Sequence, residues 1–294
     1  MSFRTNGGRL DQLATLQYFQ WEEKFTKQKP YALLMKAPDD FPCVNYTYGP
    51  GPPEKVEDMR GREDEYTLDS HGFAVRSQVL PVIDFGGKHV EEDYLPMVHQ
   101  LIHDECGSDA EVFIFDWRLR SSNEEKTKHD ATEYVNIADP QLHLRPAIGA
   151  HVDQTPAAAR RRVFHHMPDR AEHLLKSKRF RIINVWRSIA LPVEDHPLAC
   201  CDGSVVRPED MVPVDSVRSS FIGESWQTMY RDHYRWYYMS KQTKDEPLLI
   251  KIFDSNVAAK AKCCPHTSFK ISSAPESAAP RESIEVRALV FTDS

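Results

Sequence analysis

A histidine and an aspartate two positions apart, His151 and Asp153, have the spacing in this sequence that best suits metal chemistry. In an extended strand the side chains of residues i and i+2 point to the same face, so this imidazole and carboxylate can bind one metal ion from one side. A second histidine from elsewhere would complete a site of two imidazoles and one carboxylate. Such a site leaves three positions of an Fe(II) ion open for other ligands.

The third ligand is expected from a late part of the chain, because a closed sheet brings its last strands beside its early ones. His266 follows a predicted apolar strand at residues 248–253 and lies 113 residues after Asp153. It can therefore meet the first pair across the mouth of a barrel. His233 is the alternative third ligand.

An arginine and a serine, Arg281 and Ser283, open the last predicted strand and share one of its faces. A guanidinium forms two parallel charge-assisted hydrogen bonds with a carboxylate, so this pair can hold the distal carboxylate of a dicarboxylic acid. Glu285 and Arg287 continue the same face. Arg287 is therefore an alternative anchor, in which case Arg281 would pair with Glu285.

The elements that must position these side chains are mainly strands. Runs of apolar, β-branched and aromatic residues predict strands at 110–117, 181–189, 248–253 and 283–291, in addition to the strand of His151. On the strand at 181–189, Asn184 and Trp186 share a face and Arg187 lies opposite.

Helices are predicted at three places in this mainly β chain. Residues 91–105 carry one apolar stripe at helical spacing. Thr155 and Pro156 form an N-cap followed by proline at the first helical position, and a short helix is predicted from Pro168 to Lys178. The arginines at 160–162 are interpreted as an exposed helix face. The fold class is therefore mainly β with flanking helices (α+β), a barrel with helices packed on one side.

The sequence shows no clean domain boundary, so we expect one domain over residues 1–294. Residues 1–62 are interpreted as an N-terminal arm followed by a long loop rich in proline and glycine, and residues 63–294 as the barrel core with its helices. The loop at 38–62 and the segment at 205–225 are candidate lids over the active site.

Composition limits the partners that the protein can have. A net charge of −7 and a pI near 6.0 give no global basic field for nucleic acid. No window reaches the roughly 18 apolar residues of a membrane-spanning helix, and the first eight residues contain no apolar run, so we expect no signal peptide. The six cysteines include two adjacent pairs, which suit reduced thiols in a cytoplasmic protein.

The order of these motifs resembles that of the Fe(II)/2-oxoglutarate-dependent dioxygenases with a double-stranded β-helix (jelly-roll, cupin-like) fold. More narrowly, the chain is similar to the fungal family of gibberellin desaturase-like and AsaB-type hydroxylase/desaturases, which includes an endoperoxide synthase of a fungal meroterpenoid pathway. The resemblance spans roughly residues 65 to 291. The segments that carry it are residues 112–116, 150–155, 184–189, 197–199, 233–238, 253–255, 265–269 and 280–291.

The resemblance implies that His151, Asp153 and His266 hold Fe(II). It implies that 2-oxoglutarate chelates two open positions and that Arg281 with Ser283 fixes its far end, while O2 takes the third position. Asn184 is expected to line the cofactor pocket. The implied reaction is oxidation of an unactivated C–H bond, with hydroxylation, desaturation or endoperoxide formation as the outcome.

Two features depart from the pattern of the family. Ser188 stands where relatives often have proline, and the 15-residue gap from His266 to Arg281 is longer than in plant enzymes of the superfamily. The proline- and serine-rich run at 272–280 accounts for the added length.

The expected substrate is a bulky apolar fungal secondary metabolite such as a meroterpenoid, provided that aromatic side chains wall the pocket. The candidate wall residues are Trp226, Tyr230, Tyr234, Trp236 and Tyr238. No nucleic-acid or membrane partner is expected, and the N-terminal arm is a surface through which a homodimer is expected.

The sequence offers weaker support for two other functions. The first is a cupin-like metal-binding protein without redox chemistry, but a structural zinc site has four protein ligands and the sequence offers three good ones. The second is a hydrolase, for which the sequence has no Gly-x-Ser-x-Gly elbow.

Overall fold

The structure, a computed structural model, describes residues 2–4, 10–35, 40–128, 139–218 and 221–293. Within these ranges the strands are β1 Ser2–Arg4, β2 Leu10–Phe19, β3 Tyr31–Leu33, β4 Tyr48–Asp58, β5 Phe73–Val75, β6 Glu111–Ser121, β7 His151–Val152, β8 Arg179–Ser188, β9 Leu198–Cys201, β10 Met211–Val217, β11 Ile222–Thr228, β12 Trp236–Tyr238, β13 Leu248–Asp254, β14 His266–Ser268 and β15 Glu282–Thr292. The α-helices are α1 Leu95–Cys106, α2 Glu124–Thr127, α3 Pro156–His166 and α4 Ala171–Ser177.

The strands form two sheets that face each other across the main apolar core. The larger sheet has ten strands in the order β1-β2-β4-β12-β9-β14-β7-β11-β10-β3, and the smaller has five in the order β5-β13-β8-β15-β6. The core between them takes side chains from both sheets, among them Val152, Trp186 and Leu289. Two curled sheets around one core form the β-barrel architecture that the sequence predicts.

Strand β15 shows how the alternation of side chains divides the smaller sheet into two faces. Ile284 and Val286 point outward and join the apolar cluster under α1. Ser283, Glu285 and Arg287 point the other way, toward the larger sheet. The predicted strand at 283–291 and its shared polar face are therefore present.

Helix α1 covers the outer face of the smaller sheet. Its buried residues Val98, Leu101 and Ile102 lie on one stripe and pack against Ile183 and Leu249 of the sheet. A turn of π-helix, Val90–Tyr94, leads into α1. The helix predicted at 91–105 is therefore present, but its α-helical part begins at Leu95. Burial of this stripe, rather than helix propensity, holds the element in place.

The predicted start of α3 is confirmed in detail. The Thr155 hydroxyl accepts a hydrogen bond from the backbone N–H of Ala158 at 3.1 Å, and Pro156 occupies the first helical position. This cap satisfies an N–H group that the helix cannot pair internally. The strand-to-helix turn therefore begins directly after Asp153.

The prediction that residues 1–62 are an arm and a loop outside the barrel core is wrong, because strands from this segment belong to the larger sheet. Residues 10–19 form β2, and residues 48–58 of the expected loop form β4, antiparallel to β2. The prolines of β4 lie at positions 50, 52 and 53, whereas β4 pairs with β12 only at 56–58. The part of β4 that contains the prolines therefore has no partner strand on the side of β12, and a residue without an N–H group is tolerated at such an edge.

The segment at 205–225 is likewise not a free lid. Most of it forms strand β10 and the start of β11, which pair antiparallel from Met211↔Thr228 to Val217↔Ile222. Among the described residues no helix is long and apolar enough to cross a membrane. All six cysteines carry free thiols.

Candidate metal centre

Pairing of two short strands in the larger sheet brings the predicted histidines together. β7 and β14 are antiparallel neighbours, and His151 stands opposite His266 in their register. The two ring centroids are 4.6 Å apart. With Asp153, the two imidazoles place one ligand atom each within 4.8 Å of one another. The predicted triad is thus one cluster in space.

The alternative ligand, His233, lies elsewhere. Its Nε2 is 3.1 Å from Oδ2 of Asp210, and the other oxygen of that carboxylate accepts a hydrogen bond from Arg231. His233 therefore belongs to a separate group of polar side chains and is not in the cluster with His151.

Backbone carbonyls fix which nitrogen of each imidazole faces the cluster. The Nδ1 of His151 is 2.7 Å from the carbonyl oxygen of Gly149, and the Nδ1 of His266 is 3.1 Å from that of Cys264. In both rings Nδ1–H is therefore the donor, which leaves the Nε2 lone pair to face the other ligands. Burial lowers the pKa of His266 and so favours the neutral, metal-binding form of its ring.

The carboxylate of Asp153 has one oxygen held by the protein and one turned to the histidines. Its Oδ2 accepts hydrogen bonds from Asn184 Nδ2 at 2.8 Å and from Arg287 Nε at 2.9 Å. Its Oδ1 lies 3.2 Å from His151 Nε2 and 3.9 Å from His266 Nε2. Burial alone would raise the pKa of Asp153, but the charge of Arg287 holds this pKa well below its usual range.

Arg287 is fully occupied by carboxylates of the protein. Besides Asp153, it contacts Asp116 through Nη1 at 2.8 Å and Glu285 through Nη2 at 2.5 Å. All three nitrogens of its guanidinium therefore already contact carboxylates of the protein. Arg287 is thus less available than Arg281 to anchor a dicarboxylic acid, and its alternative role stays a prediction.

Arg281 has the unpaired fork that Arg287 lacks. Its Nη1 donates to the carbonyl oxygen of His196 at 2.8 Å and to Ser268 Oγ at 3.1 Å. Its Nε and Nη2 are buried and have no partner in the described part of the chain. A small cavity lies beside this guanidinium and is also lined by His151, His266 and Trp186.

Two other predicted site residues, Ser283 and Asn184, also carry polar atoms without partners in the described part of the chain. The hydroxyl of Ser283 is buried and has no hydrogen-bond partner among the described residues, and the same holds for Oδ1 of Asn184. Buried polar groups are nearly always hydrogen-bonded, so such atoms point to a ligand that would satisfy them. The contacts of Ser283 and Asn184 with a cofactor remain predictions.

A second, polar cavity of about 180 Å³ lies on the Asp153 side of the cluster. Its wall includes Asp116, Arg162 and Arg218 together with His151 and Asp153. The interpretation of residues 160–162 as an exposed face is therefore wrong for Arg162, although Arg160 and Arg161 are exposed. The sequence does contain a signal for this. The apolar residues Ala158, Ala159 and Val163 are spaced along one face of α3, and that face is buried, with Arg162 beside it.

A third cavity, of about 300 Å³, is mainly apolar and shares Gln154 with the polar one. Trp226 lines it, but the other aromatic residues expected in the wall do not line either cavity. Tyr234, Trp236 and Tyr238 pack in a separate apolar cluster on the opposite face of the larger sheet. Strand alternation places Tyr237, not its two neighbours, on the inner side.

Comparisons with known proteins match the geometry of this centre. A family profile described as oxidoreductase/YMDC permease-like domain matches residues 16–291 and places the chain in that family. The Fe(II)/2-oxoglutarate-dependent dioxygenase nvfI of Aspergillus novofumigatus is 34% identical over 249 residues, which cover 81% of this chain and 84% of that protein. This chain is an Fe(II)/2-oxoglutarate-dependent dioxygenase by family.

Other relatives of this dioxygenase agree with that membership. The hydroxylase/desaturase efuI of Hormonema carpetanum is 32% identical over 250 residues, which cover 81% of this chain and 83% of that protein. Among solved structures, the iron and alpha-ketoglutarate-dependent endoperoxidase NvfI superposes with a TM-score of 0.79 at 27% identity, over 97% of this chain and 99% of that one. The predicted jelly-roll fold, enzyme class and cofactors, Fe(II) and 2-oxoglutarate, are thereby confirmed.

The donor atoms of the dioxygenase fit this metal. Two neutral imidazole nitrogens and one carboxylate oxygen are the set that non-haem Fe(II) takes, and they leave the other positions open. A structural zinc ion would require a fourth protein ligand. Among the described residues no fourth histidine, cysteine or acidic group joins the cluster.

Proposed function

We propose that His151 Nε2, His266 Nε2 and Asp153 Oδ1 hold the Fe(II) ion and that Arg281, with Ser283, binds the far carboxylate of 2-oxoglutarate. The observation that carries the proposal is the pair of free N–H groups on the buried Arg281, in a cavity that the two histidines also line. When bound, Fe(II) with 2-oxoglutarate and O2 supplies the oxidising power that removes hydrogen from an unactivated C–H bond.

The protein's own residues orient the ligands and exclude water. Asn184 and Arg287 hold Asp153 Oδ2, which turns Oδ1 toward the histidines. Outer hydrogen bonds of this kind set both the orientation and the basicity of metal ligands. Trp186 and Leu198 close the cavity of Arg281 with apolar surface, so a carboxylate bound there would meet the guanidinium with little competing water.

The proposed substrate is a small organic molecule with an apolar skeleton, of the kind made in fungal secondary metabolism. The apolar cavity beside the polar one offers room for such a skeleton. The names of the relatives include both an endoperoxidase and hydroxylase/desaturases. Hydroxylation, desaturation and endoperoxide formation all begin with the same hydrogen abstraction, and product analysis distinguishes them.

We further propose a cytoplasmic location, which the six free thiols support, because oxidising compartments favour disulfides. Homodimer formation stays a prediction, and sedimentation velocity of the full chain measures it.

Anaerobic spectroscopy tests the proposed centre. Addition of Fe(II) and 2-oxoglutarate to the full chain is expected to produce a visible metal-to-ligand charge-transfer band. His266→Ala should abolish this band, whereas His233→Ala serves as the matched control and should retain it. Arg281→Gln should raise the 2-oxoglutarate concentration that gives half of the maximal band intensity. We expect an increase of about tenfold to a hundredfold, because the charge-assisted hydrogen bonds to the cofactor are lost.

Circular dichroism establishes that each variant is folded. A folded wild-type protein without the band would refute the proposed function. A band that survives His266→Ala but not His233→Ala would assign the third ligand to His233 instead. An unchanged requirement for 2-oxoglutarate in Arg281→Gln would move the anchor to another residue.

A further inference from the structure

We propose that the substrate of this dioxygenase carries a carboxylate and that Arg162 and Arg218 bind it in the polar cavity beside Asp153. The inference rests on the proposed function, since it concerns the substrate of the same centre. It adds a charged group to an otherwise apolar skeleton. The following observations carry it.

The two guanidiniums lie in the right cavity. Arg162 from α3 and Arg218 from the end of β10 both line the polar cavity, as do His151 and Asp153. Arg281, the proposed anchor of 2-oxoglutarate, lines a different cavity on the His266 side. A second anionic molecule can therefore bind beside the metal without displacing the first.

Aromatic rings hold Arg162 in place without neutralising it. Its guanidinium carbon is 4.2 Å from the centroid of Phe221 and 5.4 Å from that of Phe115. Such cation–π contacts fix the plane of the group but leave its N–H donors free. The Nε of Arg162 is buried and has no hydrogen-bond partner among the described residues.

The carboxylates in the wall of this cavity are already paired with other cations or donors. Asp116 and Asp153 both contact Arg287. Glu224 binds Lys29 and the Thr155 hydroxyl. In the described part of the chain, neither Arg162 nor Arg218 has a carboxylate within ion-pair distance.

The cavity therefore keeps two cations that make no direct ion pair with a described carboxylate, although the charge of Asp116 acts on both across the cavity. Burial lowers the pKa of Arg162 to about 10 and also lowers the pKa of Arg218. Both groups nevertheless stay protonated at neutral pH, so their charge is present when a ligand arrives. A half-buried cation without a direct ion pair is costly, and an anion is the ligand that reduces this cost. A carboxylate matches the planar fork of arginine and can accept from both residues.

The neighbouring apolar cavity gives the rest of the substrate its place. Gln154 lines both cavities, so a molecule with its carboxylate on the arginines can extend an apolar body past this residue. Trp226, Met211 and Phe253 line the apolar side. The predicted ligand is thus a carboxylic acid with a sizeable hydrocarbon part.

Calorimetric titration of the anaerobic complex tests the inference. The full chain is loaded with Fe(II) and 2-oxoglutarate, and the charge-transfer band is recorded first. Butyrate, octanoate and dodecanoate are then titrated, each against its neutral amide of the same length. We expect at least one acid to bind about tenfold or more tightly than its amide, as hydrogen bonds to charged groups imply.

Variants assign the preference to residues. The double variant Arg162→Gln/Arg218→Gln should lose the preference for the acid and bind acid and amide about equally. Arg161→Gln is the matched control, because Arg161 lies on the exposed face of the same helix, and it should keep the wild-type preference. Thermal unfolding by circular dichroism shows whether the double variant is folded, and Arg218→Gln alone is the second variant if it is not.

Each remaining outcome counts against the inference or against the proposed function, and the two are distinguishable. No band in the folded wild type refutes the proposed function. A normal band without any preference for an acid overturns the carboxylate inference alone. A preference that survives in the double variant, or an acid that abolishes the band by replacing 2-oxoglutarate, places the anion elsewhere and also overturns it.

Discussion

Two clusters of charge, each with buried members, lie in this protein, and they differ in whether their buried polar atoms are satisfied. The metal cluster contains His151, Asp153, His266, Asn184 and Arg287, and the lysine cluster contains Asp69, Arg179, Lys251 and Asp254. Both join side chains that are distant in the sequence. They differ in one respect. In the metal cluster, nitrogen and oxygen atoms that can bind a metal ion, from His151, Asp153 and His266, lie within 4.8 Å of one another.

The lysine cluster is closed. The side chain of Lys251 is fully buried, and its ammonium donates to Asp69 at 2.8 Å, to Asp254 at 2.6 Å and to the carbonyl oxygen of Ala261 at 3.1 Å. These three bonds use its three donors. Arg179 contacts both carboxylates as well. Two cations therefore face two anions, and every charged group of the cluster has a partner within it.

The comparison teaches that burial of charge does not by itself mark a functional site. The informative feature is a polar atom that the fold orients but does not satisfy, such as Arg281 Nη2 or the two imidazole Nε2 atoms. Changes in the metal cluster should therefore affect binding and turnover, whereas changes in the lysine cluster should affect stability. Four predictions test this separation.

The largest effect is expected for Asp153→Ala, which removes a proposed Fe(II) ligand and leaves Arg287 without one of its carboxylates. Turnover of 2-oxoglutarate, measured as succinate release, should fall to the background. The matched control is Asp232→Ala, because Asp232 is a largely exposed carboxylate. Wild-type turnover in Asp153→Ala would contradict the assignment of the metal cluster.

Lys251→Met should destabilise the fold by about 3–5 kcal/mol, because it removes one of the two cations that contact the buried carboxylate of Asp254. Urea unfolding followed by circular dichroism measures the free energy of unfolding. Lys24→Met removes an exposed pair with Glu22 and should cost about 0–1 kcal/mol. The 2-oxoglutarate charge-transfer band of folded Lys251→Met should be unchanged, and its loss would couple the two clusters.

Asn184→Ala should weaken Fe(II) binding by about tenfold to a hundredfold, as removal of an outer hydrogen bond to a metal ligand does. The titration of the charge-transfer band with Fe(II) measures this change. The urea midpoint of the variant is the control for folding. Unaltered Fe(II) affinity would show that Arg287 alone is sufficient to orient Asp153.

The smallest effect is expected from acid titration of the lysine cluster. Burial would raise the pKa of Asp69, but hydrogen bonds from Arg179 and Lys251 lower it to about 2. A lowered folded-state pKa gives stability that is present above the unfolded value near 3.9 and is lost as the pH falls toward 2. Stability measured by urea should therefore rise with pH between about 2 and 4, and Asp69→Asn should flatten that rise.

Local spacing was sufficient to predict much of this protein. The i, i+2 positions of His151 and Asp153, the cap at Thr155 and the apolar stripe of α1 each depend on neighbours within a few residues, where the geometry of a strand or helix is fixed. The alternation along β8 and β15 likewise predicted that Asn184 and Trp186 share a face. The order of the motifs was sufficient for the family.

Long-range pairing determined the rest. The proline-rich segment at 48–58 is a strand because β2 supplies a partner on one side and its other edge is open at the prolines. His266 meets His151 through the pairing of β7 with β14, and Arg162 faces a cavity because α3 packs beside β11. Whether a guanidinium is occupied, as in Arg287, or free, as in Arg281, depends on which carboxylates the folded sheets bring within about 3 Å. Such contacts are set by strand register and sheet packing, which join residues distant in the sequence and leave no local pattern in it.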